Sequence, residues 1–280
     1  STIIEPGDLR VTGLVSELGA GKVLDYLQAA GDVEAHWGFG IGQELGQVDA
    51  VQVLEQAATR GIRFIIPGDD EWPERLGALR SAGALHDRGG EPVGLWVQGT
   101  HDLRQLAANA VAVVGSRAAT SYGTEQATEI SHDLTSMGHN VISGLAYGVD
   151  QAAHRGALMA GGPTIAVMPG GVDRPYPTGH TQLLEAIANG GGLAVSEAPP
   201  GTGVTRTRFL ARNRVIAGLA EGAVLIEGAP RSGALNTAEW ASNLHRPVMG
   251  LPGPVTSTTS AGVNQLIRLG QASVVIDAQD

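Results

Sequence analysis

The densest chemistry in this 280-residue chain lies in the run Thr207-Arg208-Phe209-Leu210-Ala211-Arg212-Asn213-Arg214-Val215-Ile216-Ala217-Gly218-Leu219. From Ala198 to Ala220 there are four arginines, at 206, 208, 212 and 214, and no acidic residue, although the whole chain has a formal net charge of -10. An acidic protein that keeps one dense cationic segment points to an anionic partner. A planar guanidinium can grip a phosphate bidentately and stack on a base, which suits a phosphate chain. Solvated helix faces usually mix charge signs, and this segment does not. Arg208, Arg212 and Arg214 are therefore candidate anion contacts.

Glycine-rich turns supply the other half of such a site. Gly115-Ser116-Arg117 follows the apolar run Val111–Val114. It reads either as a phosphate-holding turn, with close backbone approach at the glycine and charge from the arginine, or as a strand-end turn with a solvated arginine. Ser143-Gly144-Leu145-Ala146-Tyr147-Gly148-Val149-Asp150 places two glycines between a strand and a helix that Asp150 can cap, offering backbone N–H groups to an anion. Asp150 and His154 sit one helical turn apart, a spacing that fits a metal or general-base pair but reads better as a cap and a surface histidine. Glu197, Glu227 and Glu239 are acids at or near strand ends, without a nucleophile or metal partner to make a catalytic set. No G-x-G-x-x-G fingerprint is present, and Gly19-Ala20-Gly21-Lys22 lacks the earlier glycine and the Ser/Thr of a phosphate loop. No cofactor is expected.

The elements that must position these residues follow a regular rhythm from Val111 onward. Expected strands are Val111–Val114, Asn140–Ser143, Thr164–Met168, Leu193–Ser196, Ala223–Ile226, Pro247–Leu251 and Ser273–Ile276. Between them, helical spacing covers Glu125–Met137, Asp150–Ala160, Gln182–Asn189, Phe209–Ala220, Asn236–Leu244 and Val263–Leu269. This βαβα alternation implies an α/β fold, a doubly wound parallel sheet of extended Rossmann-like type with helices on both faces. Ligands bind such sheets beyond the carboxyl ends of the strands, where the glycine-rich turns fall. Residues 1–60 read as a small helical domain, with apolar faces at Leu14, Leu18, Val23, Leu24 and Leu27 and at Val51, Leu54 and Ala58. Residues 61–280 form the second domain, opening with a bridge over 61–110 that carries few signals beyond Val93–Val97.

Composition narrows the setting. No apolar run approaches 18 residues, so no membrane-spanning helix is expected. The absence of cysteine excludes disulfides and thiolate metal sites. The N-terminus shows no charged-then-apolar signal region, which leaves the cytoplasm as the expected compartment. Net acidity argues against nucleic acid in general, but the charge is uneven. Residues 1–110 hold 8 basic and 16 acidic side chains, net -8; residues 111–280 hold 10 and 12, net -2. Aromatic residues at 4% argue against a sheet-wide base-stacking platform, and Phe209 and Tyr176 are the two that fall within the expected site.

Taken together, Val113-Val114-Gly115-Ser116-Arg117, Ser143 through Asp150, Tyr176-Pro177, Ser196-Glu197, Phe209 through Leu219, Ser232-Gly233 with Thr237-Ala238, Leu251-Pro252-Gly253 and Gly262-Val263-Asn264-Gln265-Leu266-Ile267 resemble the DNA processing protein A family, DprA or Smf, over residues 65–280. The resemblance implies an extended Rossmann fold that binds single-stranded DNA without catalysis. It further implies a homodimer that protects incoming strands in natural transformation and helps load the RecA recombinase. Carried over by motif, Arg117, Asn213 and the Ser232-Gly233 turn would line the DNA path. The chain departs from the family after Tyr176-Pro177, where Gly179-His180-Thr181-Gln182 replaces an asparagine and a nearby basic residue. His180 then either adds a pH-dependent phosphate contact or only precedes the helix at Gln182–Asn189. The competing reading on the same fold is a nucleotide phosphoribohydrolase resembling the lysine-decarboxylase-like enzymes. Those carry P-G-G-x-G-T-x-x-E, whereas Pro169-Gly170-Gly171 continues here as Val-Asp-Arg and Thr237 and Glu239 do not restore the spacing.

Overall fold

The structure, a computed structural model, describes residues 4–30, 44–45 and 48–280, and the remainder of the expected N-terminal helical segment lies outside the described residues. Its strands are β1 (Ile62–Ile65), β2 (Ala84–Leu85), β3 (Arg88–Gly89), β4 (Leu95–Gln98), β5 (Ala110–Gly115), β6 (Asn140–Ser143), β7 (Thr164–Val167), β8 (Leu193–Ser196), β9 (Gly222–Ile226), β10 (Val248–Gly250) and β11 (Ser273–Val274). The helices of the sheet domain are α4 (Leu103–Ala107), α5 (Ser121–Ser136), α6 (Val149–Met159), α7 (Thr181–Asn189), α8 (Arg206–Leu219), α9 (Gly233–Asn243) and α10 (Ala261–Arg268). They are preceded by α1 (Leu9–Leu18), α2 (Ala20–Ala30) and α3 (Ala50–Ala58).

Among the described residues nine strands form one sheet in the order β1-β4-β8-β7-β6-β5-β9-β10-β11, and β2 and β3 make a separate hairpin. From β8 to β11 every pairing is parallel. Chain order runs outward from β5 in one direction through β6, β7 and β8, then returns to β9 on the other side. That reversal opens a crevice between β5 and β9 beyond their carboxyl ends, the usual ligand position in doubly wound sheets. β7, β8 and β9 are buried along their whole length, as strands covered on both faces must be.

Two antiparallel strands extend the sheet where the sequence offered only a bridge. β1 pairs with β4, Ile62 opposite Gln98 and Ile65 opposite Leu95, and β4 pairs with β8, Trp96 opposite Ser196. β1 is four residues long and buries only Ile62 and Ile65, which is too short for alternation to register. Several helices begin earlier than expected, because polar first turns carry no apolar signal. Thr120 accepts from the Gly123 N–H and starts α5 at Ser121, and Thr205 accepts from the Arg208 N–H and starts α8 at Arg206. In α3 the expected face is reversed: Val51, Leu54 and Ala58 are exposed, whereas Val53 and Ala57 turn inward. α1 and α2 bury Val11, Val23 and Leu27, while Leu18 and Leu24 stay exposed.

α8 runs through the centre of the molecule, with every residue from Ala211 to Leu219 buried. Its last carbonyls meet two cations. Arg246 Nη1 donates to the carbonyls of Ala217, Gly218 and Ala220, and Arg75 donates to Leu219 O at 3.3 Å and to Ala108 O at 2.9 Å. Positive charge at a helix C-terminus satisfies orphan carbonyls and the helix dipole together. Burial, then the neighbouring Arg75, pulls the Arg246 pKa down to about 10. Arg246→Ala should lower the unfolding free energy by about 2 kcal/mol, since charge-assisted hydrogen bonds contribute on this scale. Urea denaturation reads this directly, and an unchanged midpoint would show that α8 needs no cap.

Candidate nucleic-acid interface

A cleft of about 730 Å³ opens beyond the carboxyl ends of the strands at the β5–β9 crevice. Its walls are the turn after β5, the first half of α8 and the start of α9. Gly115, Ser116, Arg117, Arg212, Asn213, Ser232 and Gly233 all line it. Residues 115 to 233 are thus brought together by the strand order alone.

The cationic helix divides by periodicity. At about 3.6 residues per turn, Arg206, Phe209, Leu210, Asn213 and Ile216 share one side, and Arg208, Arg212 and Arg214 fall on its flanks and back. The first set lines the cleft. Arg208 turns away, donating to Glu5 at 3.0 and 2.7 Å and to Gly203 O at 2.7 Å. Arg214 is fully buried against Glu197 at 2.7 Å, with Gly7 packed beside its guanidinium. The expectation that the arginines act as one cationic face is corrected accordingly: Arg208 and Arg214 are used inside the protein.

Arg212 is different. It is buried, yet its nearest carboxylate, Asp150, lies 4.0 Å away, against 2.7 Å for the Arg214–Glu197 pair. Burial depresses the Arg212 pKa to about 10 despite the opposing pull of Asp150, and burial raises that of Asp150 despite Arg212. Both shifts agree that desolvation outweighs the attraction at this distance. The cleft wall therefore holds a guanidinium that no carboxylate neutralises closely. Gly144 gives it room, because a Cβ there would collide with Arg212 Nη1. Ser143 lies beneath, its hydroxyl donating to Val113 O at 2.7 Å. Arg117 is exposed and stacks its guanidinium 4.5 Å from the Phe209 ring centre; Arg212 sits 5.9 Å from the same ring. Tyr176 meets Phe209 edge-on at 5.7 Å.

Asn213 has a fixed amide: its Nδ2 donates to Gly233 O at 3.2 Å and to Asn236 Oδ1 at 3.1 Å. That bond ties α8 to the start of α9. His180 is buried, its ring nitrogens 2.9 Å from Leu145 O and 3.0 Å from Gln151 Oε1, with Tyr147 packed edge-on at 4.6 Å. It does not line the cleft. Asp150 lies inside the first turn of α6, whose N-cap is Gly148, and accepts from the Ala146 N–H at 3.3 Å. His154 is fully buried against Thr164 Oγ1 at 2.8 Å, not on the surface. The hydrophobic packing of α6 on the sheet takes both residues inward. Arg206, Thr205 and Thr237 also line the cleft. Arg206 carried a sequence signal as part of the cationic segment and Thr237 as part of the Ser232-Gly233 motif, while Thr205 carried none.

Comparison with known proteins now identifies the family, because residues 63–280 match the model of the DNA recombination-mediator protein A. The chain belongs to this family. It is 43% identical over 285 residues to the putative DNA processing protein DprA of Mycobacterium tuberculosis, covering all of this chain and 72% of that protein. It is 41% identical over 189 residues to the DprA of Streptococcus pneumoniae, covering 68% of this chain and 65% of the relative. The crystal structure of that DprA superposes with a TM-score of 0.76 at 30% identity, over 99% of this chain and 92% of the other. A structure of the Helicobacter pylori DprA, whose single-stranded DNA binding mode it describes, matches with a TM-score of 0.64 at 26% identity, covering 77% and 92%. The family is described as recombination mediators. Glu197 is committed to Arg214, Glu227 is buried, and Glu239 is exposed on α9 outside the cleft lining.

Because burial favours the neutral form of Asp150, the stability it contributes is full below its ordinary value of 3.8 and is lost as pH rises through the raised folded value. Asp150→Asn cannot titrate. Its unfolding free energy should fall less steeply than that of the wild type from about pH 4 upward. Urea titrations at a series of pH values test this, and parallel curves for the two proteins would contradict it.

Proposed function

We propose that this protein binds single-stranded DNA in the cleft at the β5–β9 crevice. The observation that carries the reading is one aromatic ring flanked by two guanidinium groups, Arg117 at 4.5 Å and Arg212 at 5.9 Å from Phe209. This places charge for phosphates beside an apolar face for a base, the pairing that sequence-tolerant strand binders use. Arg206 extends the charge along the cleft. Ser116, Ser232 and Gly233 offer hydroxyl and backbone donors, while Ser143, Gly144 and Asn213 hold the walls in place. The named binding mode of the Helicobacter pylori relative supports the same substrate.

On this reading the bound strand is protected and passed on, with the protein helping to load the RecA recombinase in natural transformation and recombination. It works in the cytoplasm as a homodimer. Residues 61–280 make up the DNA-binding domain. Residues 1–60 form a small helical domain that steadies α8 through the Glu5–Arg208 pair. The description of the family as recombination mediators supports this role. Nucleation of RecA on strands precoated with single-strand binding protein, with and without this protein, tests it.

A competition gel-shift with duplex and strand of equal length, beside a nucleotide hydrolysis assay, tests the substrate. Strand preference without turnover is expected; equal affinity for duplex refutes the reading. Arg117→Ala should weaken strand binding about tenfold without moving Tm, and Phe209→Ala should cost about 1–3 kcal/mol in binding. In Arg117→Ala the slope of log affinity against log salt should also shrink, by about 0.7 for each phosphate that the guanidinium no longer neutralises. Arg208→Ala should leave affinity unchanged, since its guanidinium is taken up by Glu5 and Gly203. The affinities of wild type and His180→Gln should follow parallel pH curves, because the ring is buried and both nitrogens are occupied.

A further inference from the structure

Phe209 and Tyr176 are joined by a third aromatic at the carboxyl edge of the sheet. Residues 141–150 lead from β6 into α6, and among them only Tyr147 is exposed, at 51%. β6 lies beside β5, so the turn that carries Tyr147 leaves the sheet at the same edge as the Gly115-Ser116-Arg117 turn. The two turns are bonded to each other, the Val149 N–H donating to Ser116 O at 3.1 Å. Ala146, the residue before Tyr147, lines the cleft.

The position of this ring is fixed from beneath. Leu145 has φ 58, a conformation that L side chains seldom adopt, and its side chain is fully buried. Its carbonyl lies 2.9 Å from His180 Nδ1, and the other nitrogen of that imidazole lies 3.0 Å from Gln151 Oε1. The imidazole so held meets the Tyr147 ring edge-on, with centroids 4.6 Å apart and planes at 73°. The phenol oxygen rests on Gly179, where a Cβ would stand 2.8 Å from it. An edge-on contact takes at most one face of a ring, and Tyr147 keeps half of its surface in solvent. A left-handed leucine and an imidazole fixed at both nitrogens thus set the place of one exposed ring, and local strain of this kind gathers at ligand-contacting sites. The ring also continues the aromatic line of the cleft. Tyr176 meets Phe209 at 5.7 Å, and Gly179 follows Tyr176 by three residues, a reach of at most about 11 Å.

We infer that Tyr147 is a second base-stacking platform, over which a single strand leaves the cleft on the side of α6 and α7. The inference rests on the strand-binding reading above and adds to it a contact and a direction. Every base has a π-face, so a ring in this place adds affinity without sequence preference. It carries no charge and releases no counterion, so its share of the affinity is independent of salt, unlike that of Arg117.

The probe is oligothymidylate, and its affinity for wild type, Tyr147→Phe and Tyr147→Ala is read by fluorescence anisotropy over a range of salt. Tyr147→Ala should bind about tenfold more weakly, with Tm unmoved and the slope of log affinity against log salt equal to that of wild type. Tyr147→Phe should bind as wild type does. A second readout needs no variant: oligothymidylate carrying bromodeoxyuridine should crosslink to Tyr147 of the wild type under ultraviolet light, as located by peptide mass mapping. The inference is overturned if Tyr147→Ala binds as tightly as wild type, if its loss comes only with a lowered Tm or is shared by Tyr147→Phe, or if crosslinks form at Phe209 or Tyr176 and not at Tyr147. Each of those results, in a wild type that binds the strand, leaves the proposed function standing. A wild type that binds no strand sinks the proposed function and this inference together.

Discussion

α8 is buried over nine consecutive residues that include Arg212 and Arg214, and the way the guanidinium groups of this helix are met organises the whole molecule. Arg214 is met by Glu197, and Arg208, about one and a half turns earlier, by Glu5. Both pairs lie on the side away from the cleft. They fix the rotation of the helix about its own axis. A phase error of one residue would turn it by about 100° and swing Phe209 and Asn213 out of the site. The buried pair adds little net stability, because desolvation offsets its attraction, yet losing one partner alone costs about 3–5 kcal/mol. Its value here is specificity of register. Arg75 and Arg246 then hold the far end of the same helix by its carbonyls.

Arg212 is the exception that the arrangement permits. It shares the burial of Arg214 but not its close carboxylate, since Asp150 lies 4.0 Å away. An under-answered guanidinium in a low-dielectric wall attracts an anion more strongly than the same group in water. Two structural pairs thus set the helix, and the remaining buried charge is kept available at the cleft. Glu227, outside the cleft lining, satisfies donors at the start of α5 internally.

How much of this could be read from the sequence depends on the kind of signal. The strand ends were legible because apolar runs stop abruptly at Gly115, Ser143 and Ser196, and the βα alternation makes parallel order almost obligatory. The convergence of the turns followed from that. The cationic segment was legible as charge but not as geometry. Four arginines in a row of nine looked like one surface, and the helical repeat splits them between a ligand face and a buried face. His180 and His154 defeated the reading for a related reason: a polar residue in an amphipathic segment gives no sign of which side it takes, and both turn into the core beside partners distant in sequence, Leu145 and Thr164. β1 was lost because four residues with two buried side chains carry too little pattern. The role of Glu227 was invisible, since it depends on a positive φ and on Thr120 and Thr259, which lie 107 and 32 residues away.

The remaining tension is that a protein of net charge -10 should take up a polyanion at all. The resolution is one of range. At physiological ionic strength charges separated by more than about 8 Å are largely screened in solvent, so acidic groups beyond that distance act only weakly on the cleft. What a phosphate meets at contact is Arg117, Arg206 and Arg212, with Asp150 the one carboxylate among the described residues of the lining and its charge disfavoured by burial. A low-dielectric wall focuses that local field outward. Net acidity then works on selectivity: it suppresses loose attachment of polyanions over the general surface, and confines binding to the cleft. On the proposed reading, a strand, whose backbone bends and whose bases can unstack onto Phe209, suits that cleft better than a duplex, which presents a stiff cylinder. The same charge balance that argued against nucleic acid in general is therefore consistent with one narrow and strand-selective site.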